Sequence, residues 1–432
     1  MIAYQVSPIV QRLFRGASWS IASTIIGKGG VVVLTAFAGR ELSIIEFSRF
    51  GMMLGAVALA QALATLSMGS AATRTIAANR FKDSARAWRA GRAAMLSTYA
   101  TASLGAIGVL SWLLASGRDE SIGVGASIVV AAIVLGLVLR GVLGGIVTGF
   151  ESWRVVAASN SVAGMTMILG GLAAPDGIGT IWFLGVHATS QLAAVLVLGW
   201  YARLELAALN VISGERYIDS STWRVLWSLS LSTFVLGLIP SIAYFVAQHW
   251  LERFDTTGMA LAIFTIVWQI GNMILMIPSV VSRSFMPVVA GLTAPNSISS
   301  ALCLVVRLIV PGASIAVIAG LPFLIFPHIA LSLYAPHYTT EIACQALCWM
   351  VGWAMVSAVT IGVEFIAVGR AEVRFALIAR LSWLGILLVL LFSNWVDSVG
   401  DIAAAYMMAS ASQVVLLLIS LLRGHLSRKT DI

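Results

Sequence analysis

The sequence is poor in charge. Only 10% of its 432 residues are charged, and the 18 acidic residues are outnumbered by 26 basic ones. A chain with so few charges and 59% hydrophobic residues cannot cover a water-exposed surface, which excludes soluble enzymes and soluble nucleic-acid-binding proteins. The basic excess is therefore interpreted through membrane topology, and no nucleic-acid partner is expected.

Cysteine is also scarce, with Cys303, Cys344 and Cys348 as the complete set. Cys344 and Cys348 lie one helical turn apart, where Cβ atoms are about 5–6 Å from each other and beyond the usual reach of a disulfide. The histidines show no metal-ligand spacing, and no nucleophile–base arrangement or phosphate-cradling loop is present. We expect no cofactor, no metal and no enzymatic activity.

What the sequence does contain is long apolar runs, each long enough to cross the roughly 30 Å hydrocarbon core of a bilayer as a helix. They predict an all-α polytopic membrane protein with about twelve transmembrane helices. The predicted spans are 17–39, 48–72, 90–115, 122–149, 155–174, 180–202, 224–250, 258–281, 303–326, 342–366, 374–393 and 402–422.

The basic residues predict the orientation of these spans. With the N-terminus in the cytoplasm, the inner segments carry most of the arginine and lysine, including Arg74, Arg80 and Lys82. The outer segments and their margins carry Arg40, Arg49, Arg118 and Arg253. Such an asymmetry follows the positive-inside rule, so both termini are expected in the cytoplasm.

The chain also reads as two halves of six spans. Arg15 and Arg224 precede spans one and seven, Arg74 and Arg283 follow spans two and eight, and both pairs are equally far apart in the sequence. We therefore predict an N-terminal lobe of residues 1–212 and a C-terminal lobe of residues 213–432, related as a parallel repeat.

Charges inside the spans are the candidate site. Lys28 lies at the centre of the first span between Gly27 and Gly29, and Arg140, Arg307 and Arg380 lie in the inner halves of theirs. Charges at this depth cost about 2.5–3.5 kcal/mol on insertion scales and usually face the protein interior. With Arg74, these residues predict a cationic cavity that binds an anion, because guanidinium groups suit phosphate oxygens.

Glu364, near the inner end of span ten, is the one acid inside a span and can neutralise one base at most. It is a candidate coupling residue or charge partner. Each arginine can alternatively extend to the inner interface, and Lys28 can alternatively extend towards the interface or be paired inside the bundle.

Gly141, Gly145 and Gly149 recur every fourth residue on span four. Such a ridge lets helix backbones approach closely in a bilayer. A hinge for alternating access is the functional alternative.

Several short motifs resemble a known family. They are Gly39-Arg40-Glu41-Leu42 with Phe47 and Phe50, Gly69 to Arg74, Leu143-Gly144-Gly145 with Gly149-Phe150 and Arg154, Arg253-Phe254-Asp255 with Gly258, Phe285-Met286-Pro287, and Gly369-Arg370. Together they resemble Wzx-type oligosaccharide flippases of the multidrug/oligosaccharidyl-lipid/polysaccharide (MOP) exporter superfamily. The chain departs from the family at Glu46, where a glycine is usual.

The resemblance implies two six-helix lobes of the MATE/MOP type around a central cavity. It implies a transporter that flips a polyprenyl-pyrophosphate-linked oligosaccharide to the outer leaflet of the bacterial inner membrane, for lipopolysaccharide or other surface polysaccharide. A polysaccharide polymerase and chain-length proteins are the implied protein partners.

Two other functions stay open at this point. A cation-coupled multidrug exporter of the same superfamily would favour a carboxylate buried in span one or seven, and neither span has one. A membrane-embedded polysaccharide polymerase or glycosyltransferase would need a sizeable outer loop, and the longest one, 327–341, offers little beyond His328, His337 and Glu341.

Overall fold

A computed structural model describes residues 8–115, 119–213, 218–291, 298–369, 373–393 and 396–427, and every regular element in these ranges is helical. The α-helices are α1 (Pro8–Glu41), α2 (Ile44–Thr65), α3 (Met68–Asn79), α4 (Ser84–Ala115), α5 (Asp119–Gly149), α6 (Trp153–Leu172), α7 (Thr180–Ser213), α8 (Ser220–Phe254), α9 (Met259–Gly291), α10 (Ile298–Ile325), α11 (Pro327–Ser332), α12 (Glu341–Gly369), α13 (Val373–Phe392) and α14 (Val399–Ser427).

Most of these helices are long and apolar enough to cross a membrane. Within the described residues, ten meet that description, and two shorter apolar helices cover Ile309–Ile325 and Ala376–Phe392. The prediction of an all-α polytopic membrane protein is therefore confirmed, with ten to twelve spans where about twelve were predicted.

The second predicted span differs from the expectation. The sequence predicted one continuous helix over 48–72, whereas the structure ends α2 at Thr65 and begins α3 at Met68. The two residues between them, Leu66 and Ser67, have φ values of 46° and 53°. The left-handed conformation is unfavourable for residues with a Cβ, so the helix cannot continue through this pair. The Ser230 hydroxyl of α8 donates a hydrogen bond to the Leu66 carbonyl, one of the groups that the break leaves without a helical partner.

The hairpin between α1 and α2 explains the glutamate that departs from the family pattern. The Ser43 hydroxyl accepts a hydrogen bond from the Glu46 amide at 3.3 Å, and the Ser43 amide donates to the Glu46 carboxylate at 3.2 Å. This reciprocal arrangement is a capping box, which satisfies two backbone amides at the start of a helix. Glu46 thus fixes the start of α2.

The glycine ridge of α5 packs against α3. A Cβ built on Gly145 would lie 2.3 Å from the Gly69 carbonyl oxygen, and one built on Gly69 would lie 2.5 Å from that of Gly141. The Thr73 hydroxyl donates to the Gly145 carbonyl at 2.7 Å. The ridge is therefore a close backbone contact, as predicted for packing, since no side chain fits between the two helices.

By its internal contacts the chain forms two compact units, residues 26–265 and residues 1–25 with 266–432. In the first unit, α3, α4, α5, α7 and α8 share a core that includes Ile76, Trp88, Ile146, Leu206 and Leu226. In the second unit, α12 packs closely on α10 and α14. The predicted lobes, 1–212 and 213–432, rest on the sequence repeat and stay a prediction.

Candidate substrate-binding site

The glycines around Lys28 bring α1 against α6. A Cβ on Gly30 would lie 2.6 Å from the Gly164 Cα, and one on Gly27 would lie 3.3 Å from the Asn160 Cβ. Gly29, in contrast, has nothing within 4 Å of its would-be Cβ. Lys28 itself is exposed on α1. Two of the three neighbouring glycines are therefore explained by helix packing, and their packing places α1 beside the polar residues of α6.

Arg140 of α5 lies at the centre of these polar residues. Its Nη1 donates a hydrogen bond to Gln191 Oε1 of α7 at 2.5 Å, and its Nη2 donates to Asn160 Oδ1 of α6 at 2.6 Å. A Cβ on Gly27 would be 3.6 Å from Arg140 Nη2, so α1 also borders the guanidinium. Four helices of the first unit therefore meet at this side chain.

The residues next to Gln191 hold its amide in place. Gln191 is 1% exposed, and its Nε2 donates to the Ser190 hydroxyl at 3.3 Å. The Ser190 hydroxyl in turn donates to the His187 carbonyl at 2.6 Å. Because the Gln191 nitrogen is engaged, its oxygen is the atom that faces Arg140. The buried His187 ring, one turn earlier on α7, has no hydrogen-bond partner for Nδ1 among the described residues.

The partners of the charged Arg140 guanidinium are neutral amide groups. Within the described part of the chain, no carboxylate lies within ion-pair distance of its guanidinium. A guanidinium has five N–H donors, and the two amide oxygens use two of them. Since Arg140 is only partly buried, its remaining N–H groups can donate to a bound anion.

Arg380 has a different environment in the second unit. Its Nη2 donates to Glu364 Oε2 at 2.9 Å, and its Nε lies 2.8 Å from Glu364 Oε1. Gln413 Nε2 of α14 donates to Glu364 Oε1 at 2.9 Å. Glu364 is 9% exposed. The predicted charge partner is thus placed beside one of the predicted binding arginines.

The other predicted site residues are distributed as follows. Arg74 is exposed on α3. Arg307 lies on α10, but its side chain is outside the described residues. Lys28 and Arg140 belong to the first unit and Arg380 to the second. The substrate-binding role of all five residues stays a prediction.

Sequence reasoning missed Asn160 and Gln191 as partners of Arg140. From the sequence alone, both are polar residues inside predicted spans, which favours hydrogen bonds between helices over a ligand role. The signal available in the sequence was that all three residues lie well inside their predicted spans. Arg140, Asn160 and Gln191 each lie roughly five to eleven residues from the predicted inner end of their span, or about 8–17 Å at 1.5 Å per residue.

Solved structures with similar folds are membrane transporters, although the sequence matches no family model and no curated protein. A multidrug resistance MATE family transporter of the MOP superfamily, solved in an inward-facing conformation, superposes with a TM-score of 0.74 at 13% identity, covering 94% of this chain and 98% of that one. The MATE multidrug transporter DinF-BH gives 0.71 at 15% identity and covers 96% of each chain.

A third similar structure is a MOP superfamily transporter from Pyrococcus furiosus. It gives a TM-score of 0.67 at 14% identity and covers 95% of each chain. It is described as having a binding pocket of reverse polarity that suggests a different function. At these identities the likeness concerns the fold alone.

Proposed function

We propose, from the MOP-superfamily transporter fold of this chain, that it flips a polyprenyl-pyrophosphate-linked oligosaccharide from the inner to the outer leaflet of the bacterial inner membrane. The movement is by alternating access, and its product feeds the synthesis of cell-surface polysaccharide. The pyrophosphate binds at the site around Arg140 in the first unit, and the polyprenyl tail stays in the lipid.

One observation carries this proposal. Arg140 presents a guanidinium held by the side-chain oxygens of Gln191 and Asn160, with no carboxylate within ion-pair distance among the described residues. A positive charge inside a span is costly and usually has a functional role. An anion is the ligand that would compensate it, and phosphate oxygens suit the guanidinium geometry. The reversed pocket polarity described for the Pyrococcus furiosus transporter supports the idea that this fold hosts pockets of different charge.

The test is a flipping assay in proteoliposomes that carry a short polyprenyl-pyrophosphate-linked oligosaccharide. Glycan that reaches the far leaflet is scored by a membrane-impermeant lectin. We expect Arg140→Ala to slow flipping about tenfold to hundredfold, because charged hydrogen bonds contribute about 1.5–3 kcal/mol and 1.4 kcal/mol is tenfold. Arg140→Lys keeps the charge and should keep part of the rate.

Arg86→Ala is the matched control, since Arg86 is an exposed arginine on α4. It removes the same charge and should leave the flipping rate unchanged. Full activity of Arg140→Ala at equal reconstitution would refute the assignment. Transport of a fluorescent cationic dye by the wild type, without movement of the lipid-linked glycan, would favour the multidrug-exporter alternative instead.

A further inference from the structure

The second unit contains a buried ion pair between α12 and α13. Glu364 is the one carboxylate among the described residues with less than a tenth of its surface exposed. Three nitrogens surround it, namely Arg380 Nη2 and Nε at 2.9 and 2.8 Å and Gln413 Nε2 at 2.9 Å. Both carboxylate oxygens are therefore occupied by groups of the protein itself.

Buried apolar side chains lie on the same three helices as this pair. Val363, Ala379 and Leu417, each next to or near a member of the pair on α12, α13 and α14, form a buried cluster with Ile309 of α10. Breaking a buried ion pair leaves an uncompensated buried charge, which is strongly unfavourable. The burial of Glu364 and its contacts therefore favour a permanent pair over one that opens to exchange ions.

Other titratable groups lie far from Glu364 along the helices around it. On the described parts of α12 and α14, they are Glu341, Cys344, Cys348, Asp401 and Tyr406. Tyr406 is about two helical turns from Gln413, and the others are three or more turns from the pair. The described side chains of α10, over 309–325, include no titratable group, and on α13 Arg380 is the charged side chain that the structure describes. Within the described residues, Arg380 is thus the cation that Glu364 faces.

We infer that Arg380 acts as a tethered counter-ion that permanently occupies Glu364, so that this carboxylate takes up neither a proton nor a sodium ion during transport. Its consequence for transport rests on the proposed flippase function. That consequence is that flipping should not depend on a proton or sodium gradient. The membrane potential can supply the driving force, since moving a negative charge outward is assisted by about 2.3 kcal/mol per 100 mV.

The first test does not depend on transport. Dicyclohexylcarbodiimide reacts with carboxyl groups that are protonated in apolar surroundings, and mass spectrometry locates the adduct. In the full-length protein we expect no adduct on Glu364 in the wild type. Arg380→Gln frees the carboxyl and should be modified, whereas Arg224→Gln, which removes an exposed arginine of α8, should not. Equal modification of Glu364 in wild type and Arg380→Gln would overturn the inference.

The second test uses a variant that loses both charges together, since Arg380→Gln alone leaves an uncompensated buried charge and can fail to fold. Glu364→Gln with Arg380→Gln should fold, because a buried pair can often be replaced by neutral groups at little cost, and its flipping should respond to an added pH or sodium gradient no differently from that of the wild type. Wild-type flipping under a potassium diffusion potential should be unchanged by an added pH or sodium gradient.

An increase of about tenfold or more on adding either gradient, equivalent to about 1.4 kcal/mol, would overturn the inference. So would a dependence on either gradient that the wild type shows and the folded double variant lacks. A third outcome separates the inference from the proposed function. If neither the wild type nor any variant moves the lipid-linked glycan, but Glu364 is modified only in Arg380→Gln, the inference about Arg380 holds and the proposed substrate is wrong.

Discussion

The contact between α1 and α6 can be tested with two neighbouring glycines that differ in their surroundings. A Cβ on Gly30 would meet the Gly164 Cα at 2.6 Å and its carbonyl oxygen at 2.7 Å, whereas a Cβ on Gly29 would meet nothing within 4 Å. Gly30→Ala and Gly29→Ala are therefore the same substitution, one residue apart, with and without an obstacle.

The expected magnitude follows from the geometry. An ordinary carbon contact needs about 3.4 Å or more, so Gly30→Ala requires α1 and α6 to separate by roughly 1 Å, and overpacking of this kind costs about 1–3 kcal/mol. Both substitutions gain the same helix propensity, about 0.8–1 kcal/mol over glycine. Because that gain cancels between them, Gly30→Ala should be about 1–3 kcal/mol less stable than Gly29→Ala.

The assay is unfolding of both purified variants and the wild type in the same detergent. Gly29→Ala should be as stable as the wild type or slightly more so, and Gly30→Ala should unfold first. Flipping should fall in the same order, since α6 carries Asn160, which holds Arg140. Equal stability of the two variants would refute the close approach of α1 to α6.

Three further predictions concern the charges and the topology. If Lys28 contacts a phosphate, Lys28→Arg should keep partial flipping, and Lys28→Met should lose it at unchanged abundance; a lower abundance of Lys28→Met on an immunoblot would indicate a structural ion pair instead. A cysteine replacing the exposed Thr256 should react with an impermeant maleimide from outside the cell, and outside labelling of a cysteine at Lys82 would refute the orientation. Gln191→Leu should slow flipping and lower stability by about 1.5–3 kcal/mol, because Arg140 loses a charged hydrogen bond; unchanged stability and flipping would refute the amide's role.

The fold was predictable because its strongest signal is simple. Runs of apolar residues long enough to cross a bilayer become helices, since an unpaired backbone group is too costly in lipid. The break in the second span was not predictable in the same way. Leu66 and Ser67 carry no glycine or proline signal, and only tertiary contacts can hold such residues in the left-handed region.

The sequence indicated which charges lie inside predicted spans but not which residues they contact, and their binding role stays a prediction. The cost of charge in a span pointed to Arg140 and Arg380, but the cost alone does not say what each one contacts. Arg380 meets Glu364 and Arg140 meets two amides. Which side chain each arginine contacts depends on how its helix and the neighbouring helices are rotated about their axes. A sequence of nearly uniform hydrophobicity does not specify these rotations.

The break between α2 and α3 also bears on motion. Hinges in proteins are often built from small residues that tolerate many backbone angles, whereas here the bend is made by two residues whose side chains restrict it. Such a joint favours one angle, stabilised by the Ser230 hydroxyl on the Leu66 carbonyl. α3 is meanwhile held against α5 by Thr73 and the glycine ridge. α2 and α3 should therefore move with α5 as one rigid unit, and the bending required by the proposed alternating access should take place elsewhere in the chain.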